Sequence, residues 1–313
     1  MMQILLIGLG AGVAAALLFV SPLSGTSLAL PLFILTGLPV AIAGLGWTFL
    51  AAIAASAVAA LLLALLASPT AAAIFLLLFG LPIVWLVRLA GLSRPTEAGR
   101  EWYPLGRLLL HAAAAAAIGL TLVGLLIGFD IGTLTRTMSD MLTEWFRLQP
   151  ELGTPPAREE LEAFVRLNVI LLPYTLAAMT LVVLVLQLWL ASLITRASGR
   201  LERPREPMWQ VEFPPVATPI FLGAVALSLL PHPLGSISAT AAGTFGCAFA
   251  LVGLAVLHVV TLGSALRPLM LTAVYGLIFF AGFPMLILAL LGIAETYLHL
   301  RARRPGGAPP TPQ

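Results

Sequence analysis

Residues 47–67 read WTFLAAIAASAVAALLLALLA, and residues 70–91 read TAAAIFLLLFGLPIVWLVRLAG. Each is close to the roughly 20 apolar residues that a helix rising about 1.5 Å per residue needs to cross a bilayer's hydrocarbon core. The pair, separated by Ser68-Pro69, therefore predicts two consecutive membrane spans. Comparable runs recur outward from it at 4–20, 28–45, 105–129, 167–195, 216–231 and 239–263. Only 9% of the chain is charged and 60% is hydrophobic, so no segment outside these runs has the material for a soluble core. The predicted class is an all-α, polytopic transmembrane helix bundle of eight to ten membrane segments, some short or broken. One integral membrane domain covers 1–303. The Pro- and Gly-rich tail, 304–313, is expected to be disordered and cytoplasmic.

Charge placement sets the topology. All 16 basic residues are arginine, against 13 acids. Arg88, Arg94, Arg100 and Arg107 crowd the fourth connection, and Arg196, Arg200, Arg203 and Arg205 follow the sixth span, which predicts that both loops are cytoplasmic. The connection 130–166 also has four arginines, but seven acids accompany them, so it is expected outside. The last apolar stretch, 268–300, is too long for one span. It lies between Arg267 and the arginines at 301, 303 and 304, and Ala281-Gly282-Phe283-Pro284 interrupts it, so it should fold back as a hairpin. Ten segments result, with both termini cytoplasmic, 12 arginines inside and 4 outside. Met1-Met2-Gln3 has no basic n-region and no convincing cleavage site follows, so the first span is expected to be retained.

In the external connection, Leu134, Met138, Met141, Leu142, Trp145 and Phe146 recur at helical spacing among charged residues, which predicts an amphipathic helix over 133–148. It either lies on the outer leaflet or serves as a lid over an external site. A second helix is expected to start at Thr154-Pro155-Pro156 and run into the sixth span.

Several chemistries are excluded or left without carriers. Cys247 is the only cysteine, which removes intrachain disulfides and thiolate cages. No basic groove with interleaved aromatics suggests nucleic acid. The glycine turn at Gly8, Gly10 and Gly12 imitates a dinucleotide fingerprint, yet no acid precedes Glu97 to hold a ribose. No carboxylate pair, nucleophile triad, phosphate loop or histidine cluster appears, so no catalytic residue, metal or cofactor is assigned. Inside the spans, Gln187 is the deepest uncharged hydrogen-bonding side chain and reads as interhelical glue. Glu295 and His299, one turn apart, form a candidate intramembrane polar pair. His111 and His258 lie near the cytoplasmic ends of their helices.

Gly8, Gly12 and Ala16 form a small-residue stripe on the first span, with Gly10 and Ala14 beside it, suited to close helix contact within the bundle or with a partner. The stretch 12–27 echoes 223–238 at six of 16 positions, a weak hint of a parallel repeat. The second segment is broken by Pro31, Gly37 and Pro39, and broken helices expose backbone groups to ligands. Ser24, Thr26, Ser27 and Thr36 are therefore candidate substrate-binding residues. They define a possible site between the broken segment and the late hairpin, covered by the helix at 133–148.

The stretches GLGAGVAAALLFVSPLSG (8–25), LPVAIAGLGWTF (38–49), EWYPLGRLLL (101–110) and LLGIAETYLHLRAR (290–303) resemble the YybS-like family of predicted bacterial membrane proteins, a domain of unknown function covering essentially the whole chain. That family is distantly similar to the S components of energy-coupling-factor transporters. The resemblance implies a bacterial inner membrane, and docking of the stripe at Gly8, Gly12 and Ala16 to a transmembrane coupling protein with ATPases. Pro39, Gly44 and Gly46 partly match a proline-glycine pattern of those components, whereas their usual six helices fall short of the number read here. The function expected from sequence is a small-molecule binding or transport subunit without its own ATPase; the alternatives are a non-transporting scaffold or assembly factor, and a lipid-handling protein whose basic rim attracts anionic headgroups. The lipid bilayer is a partner in all three.

Overall fold

The structure, a computed structural model, describes residues 2–97, 99–149, 156–206 and 211–302. The tail at 304–313 and the helix start placed at Thr154-Pro155 lie outside the described residues. The protein is an all-α membrane bundle. Its helices are α1 (Met2–Val20), α2 (Ala29–Ile34), α3 (Leu38–Gly46), α4 (Phe49–Leu66), α5 (Pro69–Phe75), α6 (Leu81–Ala90), α7 (Leu105–Leu126), α8 (Ile131–Leu148), α9 (Arg158–Ala197), α10 (Ala217–Ser228), α11 (Leu234–Val260), α12 (Arg267–Ala281) and α13 (Pro284–Leu298). Seven units are long and apolar enough to cross a membrane, with α2–α3 counted as one and α5–α6 as another; α10, α12 and α13 are shorter apolar helices. Seven and three make the ten apolar segments expected.

The interruptions have local causes. Pro39 has no N–H to bond Leu35, and the chain breaks between α2 and α3 at Leu35–Gly37. Pro82 likewise leaves Leu78 without its helical donor, and a π turn over Leu76–Gly80 absorbs the mismatch between α5 and α6. Thr48 and Ser68 cap α4 and α5, their hydroxyls accepting from the backbone N–H of Ala51 and Ala71. The fourth connection is more ordered than the sequence suggested. Ser93–Thr96 (β1) and Gly99–Trp102 (β2) pair as an antiparallel hairpin, with Arg94 opposite Glu101.

Small residues govern the packing between helices. A side chain at Gly8 would meet Ala54 and Ala55, and one at Gly12 would meet Ala55 and Val58, so α1 and α4 run parallel at backbone distance. On the other side, Gly253 of α11 and Gly292 of α13 face one another, each against the other helix's backbone. Helix α11 is the hub of the later helices, touching α7, α9, α10 and α13. The echo between 12–27 and 223–238 does not extend to packing: the principal neighbour of α1 is α4, whereas that of α10 is α11.

The arginine-rich segments gather at one end of the bundle. Arg100 pairs with Glu202 at 2.9 Å. Buried Arg203 donates to the carbonyls of Ala90 and Tyr103 and to the Glu206 carboxylate. Arg301 donates to Glu295 and to the Val211 carbonyl. The α3–α4 turn is at this end too, since the Arg200 guanidinium sits over the Trp47 ring. The parallel packing of α1 on α4 brings the start of α1 to the same end. Hence 46–49, 88–97, 99–107, 199–206, 211–213 and 295–302 share one face, as positive-inside placement requires.

Candidate functional site

At the opposite end, α7 gives way to α8 through Asp130. Its carboxylate caps the helix by accepting from the Thr133 N–H at 2.7 Å, which holds the Asp130 carboxyl below its ordinary range. Helix α8 packs on the first half of α9 and on no other helix to a comparable extent. The α9 helix of 40 residues is about 60 Å long, roughly twice a hydrocarbon core, so its beginning has length to spare outside the membrane. One ion pair joins the two helices, Arg158 with Asp140, while Arg158 with Glu162 and Arg147 with Glu144 pair within α9 and α8. All are well exposed, and each is worth at most about 1 kcal/mol.

Helix α8 turns only part of its apolar face to α9, with Leu134, Leu142 and Phe146 half-buried. Thr135 and Ser139 of α8 are buried, as are Leu161 and Val165 of α9. The stripe of Met138, Met141, Trp145 and Leu148 points away, 44–72% exposed. Beside it, Leu142, Trp145, Phe146, Pro156, Leu161 and Phe164 form an open cleft of about 320 Å³ with a single charged group, Glu160. That volume is at the low end for a small-molecule site, and the lining is almost wholly apolar.

The hydroxyls assigned to a ligand fall in two places. Ser24, Thr26 and Ser27 occupy an exposed turn after α1, where the Ser24 hydroxyl donates to the Ser21 carbonyl and lies 3.1 Å from that of Thr26. Thr36 is fully buried in the α2–α3 break and donates to the Phe33 carbonyl at 2.6 Å. The carbonyl of Ile34, freed by the break, accepts from the Gln187 side-chain amide at 2.6 Å. Gln187 is thus the expected helix-to-helix bond, made across 153 residues. Among the described residues, its Oε1 lies against Gly37 with no donor, and the Ser56 hydroxyl of α4, packed on Gly80, has no partner. Sequence reasoning passed over Ser56, whose one signal is that it is the only polar side chain in α4.

Other candidates are placed as follows. The stripe of Gly8, Gly12 and Ala16 is buried, with Gly8 and Gly12 against α4; Gly10 faces open space. Glu295 and His299 do not join through their side chains. The Glu295 carboxylate accepts from the backbone and guanidinium of Arg301, while the exposed His299 ring lies 3.4 Å from the Tyr297 carbonyl. His111 reaches the Tyr103 hydroxyl at 3.0 Å, and His258 lies 3.4 Å from that of Tyr275. Among the described residues, no three His, Cys, Asp or Glu side chains come together to hold a metal. No protein-family model, curated protein or solved structure matches the chain.

Proposed function

We propose that this protein is a multi-pass membrane scaffold or assembly subunit that holds a protein partner through the α8–α9 hairpin and performs no chemistry of its own. The outward turn of Met138, Met141, Trp145 and Leu148 carries this reading, because a helix built only to pack on α9 would turn that stripe inward. The partner's chemistry follows from the surface: an apolar side chain to enter the cleft, and a basic group to meet Glu160, for which no ion pair forms among the described residues. A bacterial inner membrane, with the arginine-rich end and both termini in the cytoplasm, belongs to the same proposal and places the hairpin outside.

A second reading, a small-molecule binding or transport subunit of the kind the YybS-like resemblance implies, is supported by the α2–α3 break. Thr36 and the unpaired Oε1 of Gln187 are polar groups at membrane depth. It requires a coupling protein with ATPases to dock elsewhere than on Gly8 and Gly12, which α4 occupies.

A photo-cross-linking residue at Met141, with one at Phe280 of α12 as a lipid-facing control, tests the choice in native membranes. A protein adduct of defined mass at 141, absent at 280 and weakened by Glu160→Lys, is expected. Lipid adducts alone at 141 would make α8 an interfacial helix and overturn the scaffold reading. A small molecule that co-purifies with the wild type and is lost in Gln187→Leu would establish the second.

A further inference from the structure

Among the described residues, three guanidinium groups sit over aromatic rings: Arg88 over Phe49 at 4.8 Å, Arg100 over Trp102 at 5.7 Å, and Arg200 over Trp47 at 4.4 Å. They differ in their anions. The Arg100 group also holds the Glu202 carboxylate at 2.9 Å, so its charge is matched. Arg88 and Arg200 are exposed, and neither forms an ion pair among the described residues. A ring beneath a guanidinium restrains it without occupying its N–H donors, which remain able to receive a carboxylate or phosphate.

Both unmatched groups flank one turn. Trp47 and Phe49 bracket the Thr48 cap between α3 and α4; Arg88 arrives from the last turn of α6, and Arg200 follows the end of α9. Directly along the helices from this turn, Leu50 and Ile53 of α4 and Trp85 of α6 are exposed apolar side chains, 43–53% accessible. A pair of fixed cations above exposed apolar surface matches an amphiphile with an anionic head and acyl tails.

We infer that Arg88 and Arg200 form a binding site for the phosphate headgroup of an anionic phospholipid, seated on the α3–α4 turn with its chains along Leu50, Ile53 and Trp85. The chemistry recognised is a phosphate; the adjoining apolar strip favours a lipid over the free ion.

Native mass spectrometry of the full-length protein tests this, with phosphatidylglycerol, phosphatidylcholine and inorganic phosphate as probes. The wild type should retain phosphatidylglycerol in preference to phosphatidylcholine. Arg88→Gln with Arg200→Gln should weaken that retention on the order of a hundredfold, through the loss of two charge-assisted hydrogen bonds to the phosphate. Arg107→Gln with Arg205→Gln, which removes two arginines of the same end that lie over no ring among the described residues, should leave it within about twofold, because exposed charges away from the seated headgroup are screened. Arg88→Lys with Arg200→Lys should lose part of the retention, since lysine keeps the charge but not the stacked fork. Equal losses in the two glutamine pairs would show general attraction and overturn the site. Displacement of the lipid by inorganic phosphate as readily as by phosphatidylglycerol would overturn the lipid assignment. Should the Arg88/Arg200 glutamine pair fail to fold, the lysine pair decides, and undiminished retention there overturns the proposal.

Discussion

Helices α11 and α12 are both apolar and nearly consecutive, yet one is the hub of its region and the other is held at the edge. Fifteen of the 27 residues of α11 are buried. None of the described side chains of α12 is, and its largest helix contact, with α13, is slight. Hydropathy does not separate the two; residue size does. Helix α11 brings Gly243 against the Tyr174 backbone and Gly253 against α13, and its Thr240 hydroxyl meets that of Thr121 on α7 at 2.7 Å. Helix α12 offers Leu269, Met270, Leu277, Phe279 and Phe280, all exposed. In a bilayer, lipid chains satisfy a leucine as well as another helix does, so association depends on close backbone approach and interhelical hydrogen bonds.

The largest expected effect follows at Gly253. In Gly253→Leu the new side chain would run into the Leu288 carbonyl and the Gly292 backbone, which cannot swing aside as a side chain can. Destabilisation at or above the upper end of about 1–3 kcal/mol is expected, read as loss of the monodisperse protein in mild detergent and a lowered melting temperature. A variant as stable as the wild type would show that α11 and α13 are not packed at backbone distance.

Gly12→Leu should come next, at about 2 kcal/mol. Its side chain would meet the Ala55 carbonyl and the Val58 side chain, and the latter can yield. The same variant separates the two uses of the stripe. Molecules that fold should keep any partner that the wild type binds, because the stripe is spent on α4. Normal stability with a lost partner would return Gly8, Gly12 and Ala16 to an intermolecular role.

What was legible in the sequence follows the same division. Apolar length and arginine placement anticipated the spans, the broken second segment, the break in the last apolar stretch and the gathering of the basic loops, because the cost of burying charge in lipid acts on each residue where it stands. The amphipathic helix was also legible, since its period is local. Which way its stripe turns was not: that depends on Thr135 and Ser139 fitting against α9, a long-range match of shape. Likewise, spacing within a helix suggested Glu295 with His299, whereas the carboxylate turns to Arg301, beyond the end of α13. The guanidiniums over Trp47 and Phe49 come from segments distant in the chain and leave no local signature.

The smallest effect is expected at Gly276, and its smallness is what sharpens the contrast with Gly253. Both glycines lie within apolar helices, so a rule based on residue type or hydropathy would penalise them alike. A side chain added at Gly276 meets nothing within 4 Å, so Gly276→Leu introduces no clash and replaces a poor helix former with a good one. Stability should therefore stay within about 1 kcal/mol of the wild type, with any change toward greater stability. Thermal melting of the two leucine variants in the same detergent checks this directly. If Gly276→Leu melts as early as Gly253→Leu, α12 is packed against something close and backbone-like, and its exposed face is an interface and not a lipid-facing wall. If the variant is unchanged in detergent but loses a protein that the wild type retains in native membranes, the small residue serves a neighbour outside this chain, and α12 joins α8 as a docking element.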